Sequence, residues 1–166
     1  MRLTNKVLDA INDQINMELV SSYSYLAMSA YCERINFKGC AAWLRMQSQE
    51  EKGHAMKLYE FLTDRGAVIV LKPIPGQPTE WKSLLDVFEQ SLKNEEKVSD
   101  AINALYGLAM EEKTFATAAE LQWFLTEQVE EEKTARDIVS KFRLVGDDPG
   151  GLLDLDRHLG SRSTAE

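Results

Sequence analysis

Apolar residues recur along this chain in alternating steps of three and four, the spacing that lines one face of an α-helix. The first such stripe reads Ile11, Ile15, Glu18, Ser22, Tyr25, Ser29 and Cys32; the second reads Leu44, Gln47, Glu51, His54, Leu58 and Phe61. A third runs Phe88, Leu92, Glu95, Ser99, Ile102, Tyr106, Ala109, and a fourth Thr117, Leu121, Phe124, Gln128, Glu131, Ala135, Ile138, Phe142. Start and stop signals bound each stripe. Thr4 caps a helix over about Asn5–Arg34, and the turn INFKG leads to a second over about Lys38–Arg65, stopped by Gly66. Ser83-x-x-Asp86 reads as a capping box for a third helix lasting to about Met110. Thr114 opens a fourth that reaches about Val145, where Gly146 and Pro149 break it, and GGLLDLDRHLG predicts a short fifth.

The connections say how these helices pack. The turns after the first and third are short, so each joins an antiparallel pair. Between the second and third lies AVIVLKPIPGQPTEWK, whose prolines and glycine no helix tolerates. Its roughly 16 residues reach about 50 Å when extended, and a helix of about 28 residues is about 42 Å long. The segment therefore spans the bundle and starts the third helix parallel to the second. The expected fold is all-α, a four-helix bundle with one long crossover and a short fifth helix.

Composition narrows the possibilities. With 166 residues, 44% of them apolar, the chain fits a single domain over 1–166 with a substantial core. A net charge of −8 argues against a nucleic-acid partner and against docking on an anionic membrane, while suiting the attraction of cations. The first residues carry Arg2, Lys6, Asp9, Asp13 and Glu18 with no apolar signal core. The longest uncharged run, Leu19 to Cys32, falls short of the roughly 20 residues a bilayer requires. The expectation is a cytoplasmic protein. Its only cysteines, Cys32 and Cys40, are expected to be buried and reduced, with a disulfide across the intervening turn as the alternative.

Every stripe carries a glutamate, and none carries a lysine or arginine. Glu18, Glu51, Glu95 and Glu131 fall near the midpoints of their helices, and midpoints stay level in a bundle whichever way its helices point. Glu51-x-x-His54 adds an imidazole one turn away on the same side. A weak internal repeat agrees: at one constant offset, Ile15 corresponds to Leu92, Glu18 to Glu95, Glu50 to Glu127, Glu51 to Gln128 and His54 to Glu131. A single glutamate on such a face is ordinarily a misassigned face or a snorkelling side chain. Four at one level are different, because each buried unpaired carboxylate costs several kcal/mol and the four repel one another. Either protons or cations must lie between them, and carboxylates plus an imidazole form a ligand set. With Glu51 bridging, Glu18, Glu51 and His54 would hold one ion and Glu51, Glu95 and Glu131 another. Hard oxygen donors with one nitrogen suit iron or manganese, with zinc left open.

The segments MELVSSYSYLAMSAYC, QSQEEKGHAMKLYEFL, LKNEE and LQWFLTEQVEEEK resemble the metal-binding segments of bacterial and archaeal non-haem ferritins. The resemblance covers essentially the whole chain. It implies a ferritin-like bundle, of the kind known to carry Glu-x-x-His di-iron sites. It further implies ferroxidase activity, in which two Fe(II) ions bind, dioxygen or hydrogen peroxide oxidises them, and the ferric product passes to a mineral stored in a cage of two dozen subunits. By motif position, Glu18, Glu51 and His54 match the first iron site, and Glu51, Glu95 and Glu131 the second. Glu50, Glu127 and Glu130, with Glu131, match a third iron site of prokaryotic members. Gln128 matches a neighbour of the second iron, and Tyr25 a tyrosine able to supply an electron during oxidation.

Read as residues alone, the third set is thinner. Glu127 lies one turn before Glu131, Glu130 shares its flank and Glu50 is its repeat partner, but singly such acids are solvated faces in most helices. Tyr25 and Trp123 read equally as core aromatics, and His158 as a surface residue without a ligand role. Lys52 stands where haem-containing relatives have methionine, which counts against haem. Gln128-x-x-Glu131 replaces the second Glu-x-x-His of those relatives and of the rubrerythrins, and two lone cysteines cannot form a rubredoxin iron site. Two rival functions stay open: a soluble di-iron or di-manganese oxidase or peroxidase without mineral storage, and a metal-free helical interaction module with a protonated polar layer.

Overall fold

In the computed structural model, which describes residues 2–162, the helices are α1 (Asn5–Arg34), α2 (Lys38–Asp64), α3 (Leu84–Glu111), α4 (Phe115–Val145) and α5 (Pro149–Gly160), and no strand occurs among the described residues. Local chemistry explains most of the boundaries. Thr4 Oγ1 accepts from the Val7 N–H at 3.4 Å, Ser83 Oγ from the Asp86 N–H at 3.1 Å, and the Asp148 carboxylate from the Gly151 N–H at 2.8 Å. Asp86 reaches back to the Lys82 N–H at 2.9 Å, so the expected capping box closes one residue wider than usual. Thr114 is the N-cap residue of α4 as expected, but its side chain does not cap it. Its hydroxyl donates to the Ala109 carbonyl at 3.2 Å, and so serves the end of α3. Gly66 and Gly146 follow α2 and α4 with φ of 62° and 59°, the left-handed turn that suits glycine.

α1 packs along α2 and α3 along α4, while α1 also touches α3. The crossover between α2 and α3 follows α1 in the direction of the chain. Asn12 Nδ2 donates to the Val68 carbonyl (3.0 Å) and its Oδ1 accepts from the Val70 N–H (2.8 Å); Asn16 does the same with the Val70 carbonyl (2.7 Å) and the Lys72 N–H (2.7 Å). Two asparagines thus satisfy the backbone of a proline-rich segment that has no strand partner. Further on, Arg34 donates to the Thr79 carbonyl (2.8 Å) and Tyr31 to that of Trp81 (3.1 Å). The crossover has then travelled from near the start of α1 to its end, and α3 begins parallel to α2.

The core is in two parts. One cluster gathers Tyr25, Met28, Leu44, Phe88, Ile138 and Phe142; the other gathers Ile11, Ile15, Leu58, Ile102, Leu121 and Phe124. On every long helix the predicted glutamate falls between its residues of the first cluster and those of the second, so a polar layer divides the oil. Ser22, Phe61, Leu92 and Tyr106, read as core from their spacing, are only half-buried and lie on the flanks of their stripes. Cys32 and Cys40 are buried free thiols, and burial pushes Cys32 up to about 12.

α5 folds back onto the start of α2 and against α4. Gly39 makes this approach possible, since a Cβ there would lie 1.8 Å from the Asp156 carbonyl oxygen. The Asp156 carboxylate accepts from the Cys40 N–H at 2.8 Å, and Leu159 is buried. This docking carries the chain just beyond α5 to the flank of the polar layer.

Candidate metal centre

Glu18 on α1 and Glu51 on α2 are fully buried, at 0% exposure, and His54, Glu95 and Glu131 are buried beside them. His54 Nδ1 lies 4.0 Å from Glu18 Oε2 and 3.9 Å from Glu51 Oε2. No amide, hydroxyl or backbone group bonds these three atoms, although each is sealed from solvent, and only a proton shared between Glu18 and Glu51 would pair any of them. Such orphans are rare in folded proteins, since each carries the desolvation penalty of an unmade bond. Three that lie together at this spacing could hold a cation. Glu18, Glu51 and His54 make one group whose ligand atoms all lie within 4.8 Å of one another; Glu51, Glu95 and Glu131 make a second. Glu51 belongs to both, as its place between the two halves of the bundle requires.

The electrostatics point the same way. Burial lowers His54 to about 4, so the imidazole is neutral and brings no compensating charge. Burial raises Glu18 to about 7 and Glu131 to about 8, in the latter case with the Glu95 charge adding to it. Glu51 is raised well above the usual carboxylate range by burial and then by Glu95 and Glu18. Burial raises Glu95 too, against the hydrogen bonds it accepts from Tyr25 and Gln128. Without metal, protons must neutralise this layer. A pair of divalent ions would replace them, and the unpartnered oxygens and nitrogen fit that role.

Buried amides hold the carboxylates in place. Gln14 donates to Glu18 Oε1 at 2.8 Å, and Gln47 to Glu131 Oε2 at 2.7 Å and Glu51 Oε1 at 3.3 Å. Gln128 donates to Glu95 Oε2 (3.3 Å), the Glu95 carbonyl (3.3 Å) and Ser99 Oγ (3.2 Å). Tyr25, fully buried, donates a hydrogen bond to Glu95 Oε1 and shares another with Ser91 Oγ at 2.9 Å. Trp123 corrects the sequence reading: it is 41% exposed, and its ring meets His54 edge-on at 5.4 Å while Lys57 lies over it at 4.7 Å. It screens the imidazole from the outer side.

The acids of the third set gather less tightly. Glu50, Glu127, Glu130 and Glu131 line one cavity of about 550 Å³ between α2, α4 and α5. Glu127 is half-buried, raised by burial and then by Glu50 and Glu130, and close enough to His54 and Glu131 to form a third ligand group. Glu130 is exposed on the rim. Glu50 is not free: Arg162 pairs with its Oε1 at 2.8 Å. The sequence reading missed Gln14, Gln47 and Arg162 as parts of the site. Gln14-x-x-x-Glu18 and Gln47-x-x-x-Glu51 repeat one pattern, an amide one turn before a stripe glutamate, which was a usable signal. Arg162 had none, because only the return of α5 brings it here.

A family model described as a ferritin-like domain matches residues 8–145. Among curated proteins, the chain is 42% identical over 160 residues to a bacterial non-heme ferritin of Bacteroides fragilis, covering 96% of this chain and 99% of that one. It is 37% identical over 164 residues to a bacterial non-heme ferritin of Staphylococcus haemolyticus, covering 99% of each. Among solved structures, it superposes on an open pore ferritin from the hyperthermophilic archaeon Archaeoglobus fulgidus with a TM-score of 0.96 and 44% identity, over 98% of this chain and 100% of the other.

Proposed function

The chain belongs to the ferritin family, of the bacterial non-haem type, and from that premise we propose that it stores iron and oxidises it as it does so. Fe(II) is the substrate. Two ions occupy the Glu18/Glu51/His54 and Glu51/Glu95/Glu131 sets and surrender one electron each. Dioxygen takes both electrons with two protons to leave hydrogen peroxide; hydrogen peroxide, as oxidant, takes two electrons and two protons to leave two waters. One observation carries this reading: Glu18 Oε2, Glu51 Oε2 and His54 Nδ1 are buried, unpartnered and aimed at one another.

The chain's own groups have separable parts. The carboxylates release their protons as ions load, so binding and proton release are linked. Gln47 and Gln128 hold the carboxylates of the second set, Tyr25 sits within one hydrogen bond of Glu95 as an electron source, and Trp123 limits water at His54. The ferric product leaves through the acidic cavity of Glu50, Glu127 and Glu130, where a third iron ion binds. Self-association into a cage of two dozen copies encloses the mineral. Tyr23 and Leu26 on α1 and Val68, Val70, Leu71 and Ile74 on the crossover are large exposed apolar residues, which supports a covered face.

Aerobic titration with Fe(II), followed by absorbance of the ferric product and by dioxygen consumption, tests the chemistry. A saturable fast phase near two Fe(II) per chain is expected, abolished in Glu51→Ala and His54→Ala. Slow, unsaturable oxidation indistinguishable from buffer defeats the reading. The rival, a dimetal oxidase without storage, predicts the same fast phase from a particle that light scattering sizes as a dimer.

A further inference from the structure

The cavity beside the carboxylate layer already holds a cation of the protein's own. Four carboxylates, Glu50, Glu127, Glu130 and Glu131, line it, and Arg162 is the one lysine or arginine among the lining residues. Arg162 follows α5, and its side chain is mostly buried, with both terminal nitrogens and one face engaged. Nη2 pairs with Glu50 Oε1 at 2.8 Å, and Nη1 donates to Gln47 Oε1 at 3.0 Å and to the Trp43 carbonyl at 3.3 Å. The guanidinium also lies 4.7 Å from the centroid of the Trp43 ring, a cation–π distance. Gln47, with its oxygen so engaged, turns its NH₂ group to Glu131 and Glu51. Arg162 therefore stands one amide away from the carboxylate shared by both ion sets.

The geometry points to Arg162 as a displaceable counter-cation, which a divalent metal ion must drive off Glu50 in order to bind in this cavity. The inference rests on the metal-binding function proposed above and assigns that function a control element. A guanidinium and a divalent ion on the same Glu50 carboxylate divide its charge, and the two positive charges repel at that distance. The pair is strong enough to matter and weak enough to break. Glu50 is partly exposed, so the bond to Arg162 is worth little more than a surface ion pair. A divalent ion shared among several carboxylates outbids it. The buried centre has no such occupant: among the described residues no lysine or arginine pairs with Glu18, Glu51, Glu95 or Glu131. Filling is then ordered: the two buried sets load first, and the outer cavity loads afterwards as Arg162 swings away. Its departure also releases the Gln47 oxygen, so that occupancy of the outer cavity loosens the amide that fixes Glu131 and Glu51.

Calorimetric titration with Zn(II), which binds such ligands without redox chemistry, tests this on the purified full-length protein. The wild type is expected to show two tight events and a weaker third, and Glu130→Gln identifies the third by weakening it alone. In Arg162→Ala the third event tightens about three- to five-fold, the scale of one ion pair removed, while the first two change less than about 1.5-fold. Arg162→Lys, which keeps the charge, stays near wild type and controls for altered folding, as does a thermal melt of each variant. In a background carrying Trp81→Phe and Trp123→Phe, the emission of Trp43 shifts during the third event when Arg162 is present and not in Arg162→Ala. Two tight events with a third that is absent from both proteins, or indifferent to Arg162→Ala, overturn this inference alone. No saturable zinc in any variant overturns both it and the proposed function.

Discussion

Glu51 is the residue on which the centre turns, because it is fully buried, carries an unpartnered oxygen and belongs to both ligand groups. Its charge opposes the metal-free fold and serves the metal-bound one. Glu51→Gln should therefore stabilise the metal-free protein by about 1–3 kcal/mol at neutral pH, by removing an acid that must take up a proton to be buried while keeping the shape. The same change should slow Fe(II) oxidation by more than the 10- to 100-fold typical of losing an outer contact. Thermal melting after chelation and stopped-flow oxidation read the two effects on one sample. The raised acids also set a pH trend. Glu18 at about 7 and Glu131 at about 8 hold protons in the fold that the unfolded chain, near 4.5, has lost. Their contribution to stability is complete below 4.5 and is lost as pH rises through 7 and 8. His54 acts oppositely: lowered to about 4 from 6.5, it contributes stability above 6.5 that is lost as pH falls toward 4. Between pH 6.5 and 8 the acids act unopposed, so the melting temperature of the metal-free protein should fall by on the order of 5 °C. A rise over that interval would contradict a proton-neutralised layer.

Among the elements, α5 has the weakest local reasons to be where it is and a large effect on the site. It is short, it has one buried residue, Leu159, and its place depends on α2 admitting it at Gly39. Gly39→Ala sets a methyl group against the Asp156 backbone, which cannot yield as a side-chain tip could. A loss of about 1–3 kcal/mol is expected in thermal unfolding, with faster hydrogen exchange confined to α5 and the first turns of α2. Because Arg162 follows α5, zinc binding in the outer cavity should tighten in the same variant. The long helices are the opposite case. Their boundaries were legible as Thr4, Ser83, Gly66 and Gly146, since caps and left-handed stops act within one turn. Thr114 marked the start of α4 as well, but only geometry shows that its hydroxyl bonds the Ala109 carbonyl and makes no cap bond to α4.

For the molecule as a whole, the divided core means that packing and metal binding are parts of one balance. Two apolar clusters hold the bundle, and a buried layer of acids able to hold a metal ion lies between them. Ligand that binds only the folded form stabilises it by mass action, by about 2.7 kcal/mol for a site at 100 times its Kd. Two filled sites should thus raise the melting temperature by roughly 10 °C or more. Stripping the metal with a chelator should reverse the rise, and a melt unmoved by zinc would deny that the layer is a binding site. No helix among the described residues is long and apolar enough to cross a membrane.

The alternation of apolar steps was enough to place four helices, and the length of the proline-rich crossing was enough to orient the third. Glutamates recurring at mid-helix, without a basic residue on any stripe, were enough to single out Glu18, Glu51, Glu95, Glu131 and His54 as one layer. These are properties of period and distance along a chain, and a sequence records both. What it does not record is which distant group meets which. The orphaned state of Glu18 Oε2, Glu51 Oε2 and His54 Nδ1, the exposure of Trp123 over the imidazole, and the reach of Arg162 into the acids of α2 and α4 all depend on contacts between segments far apart. Such contacts arise from the packing of whole faces, so they became visible only when the helices stood side by side.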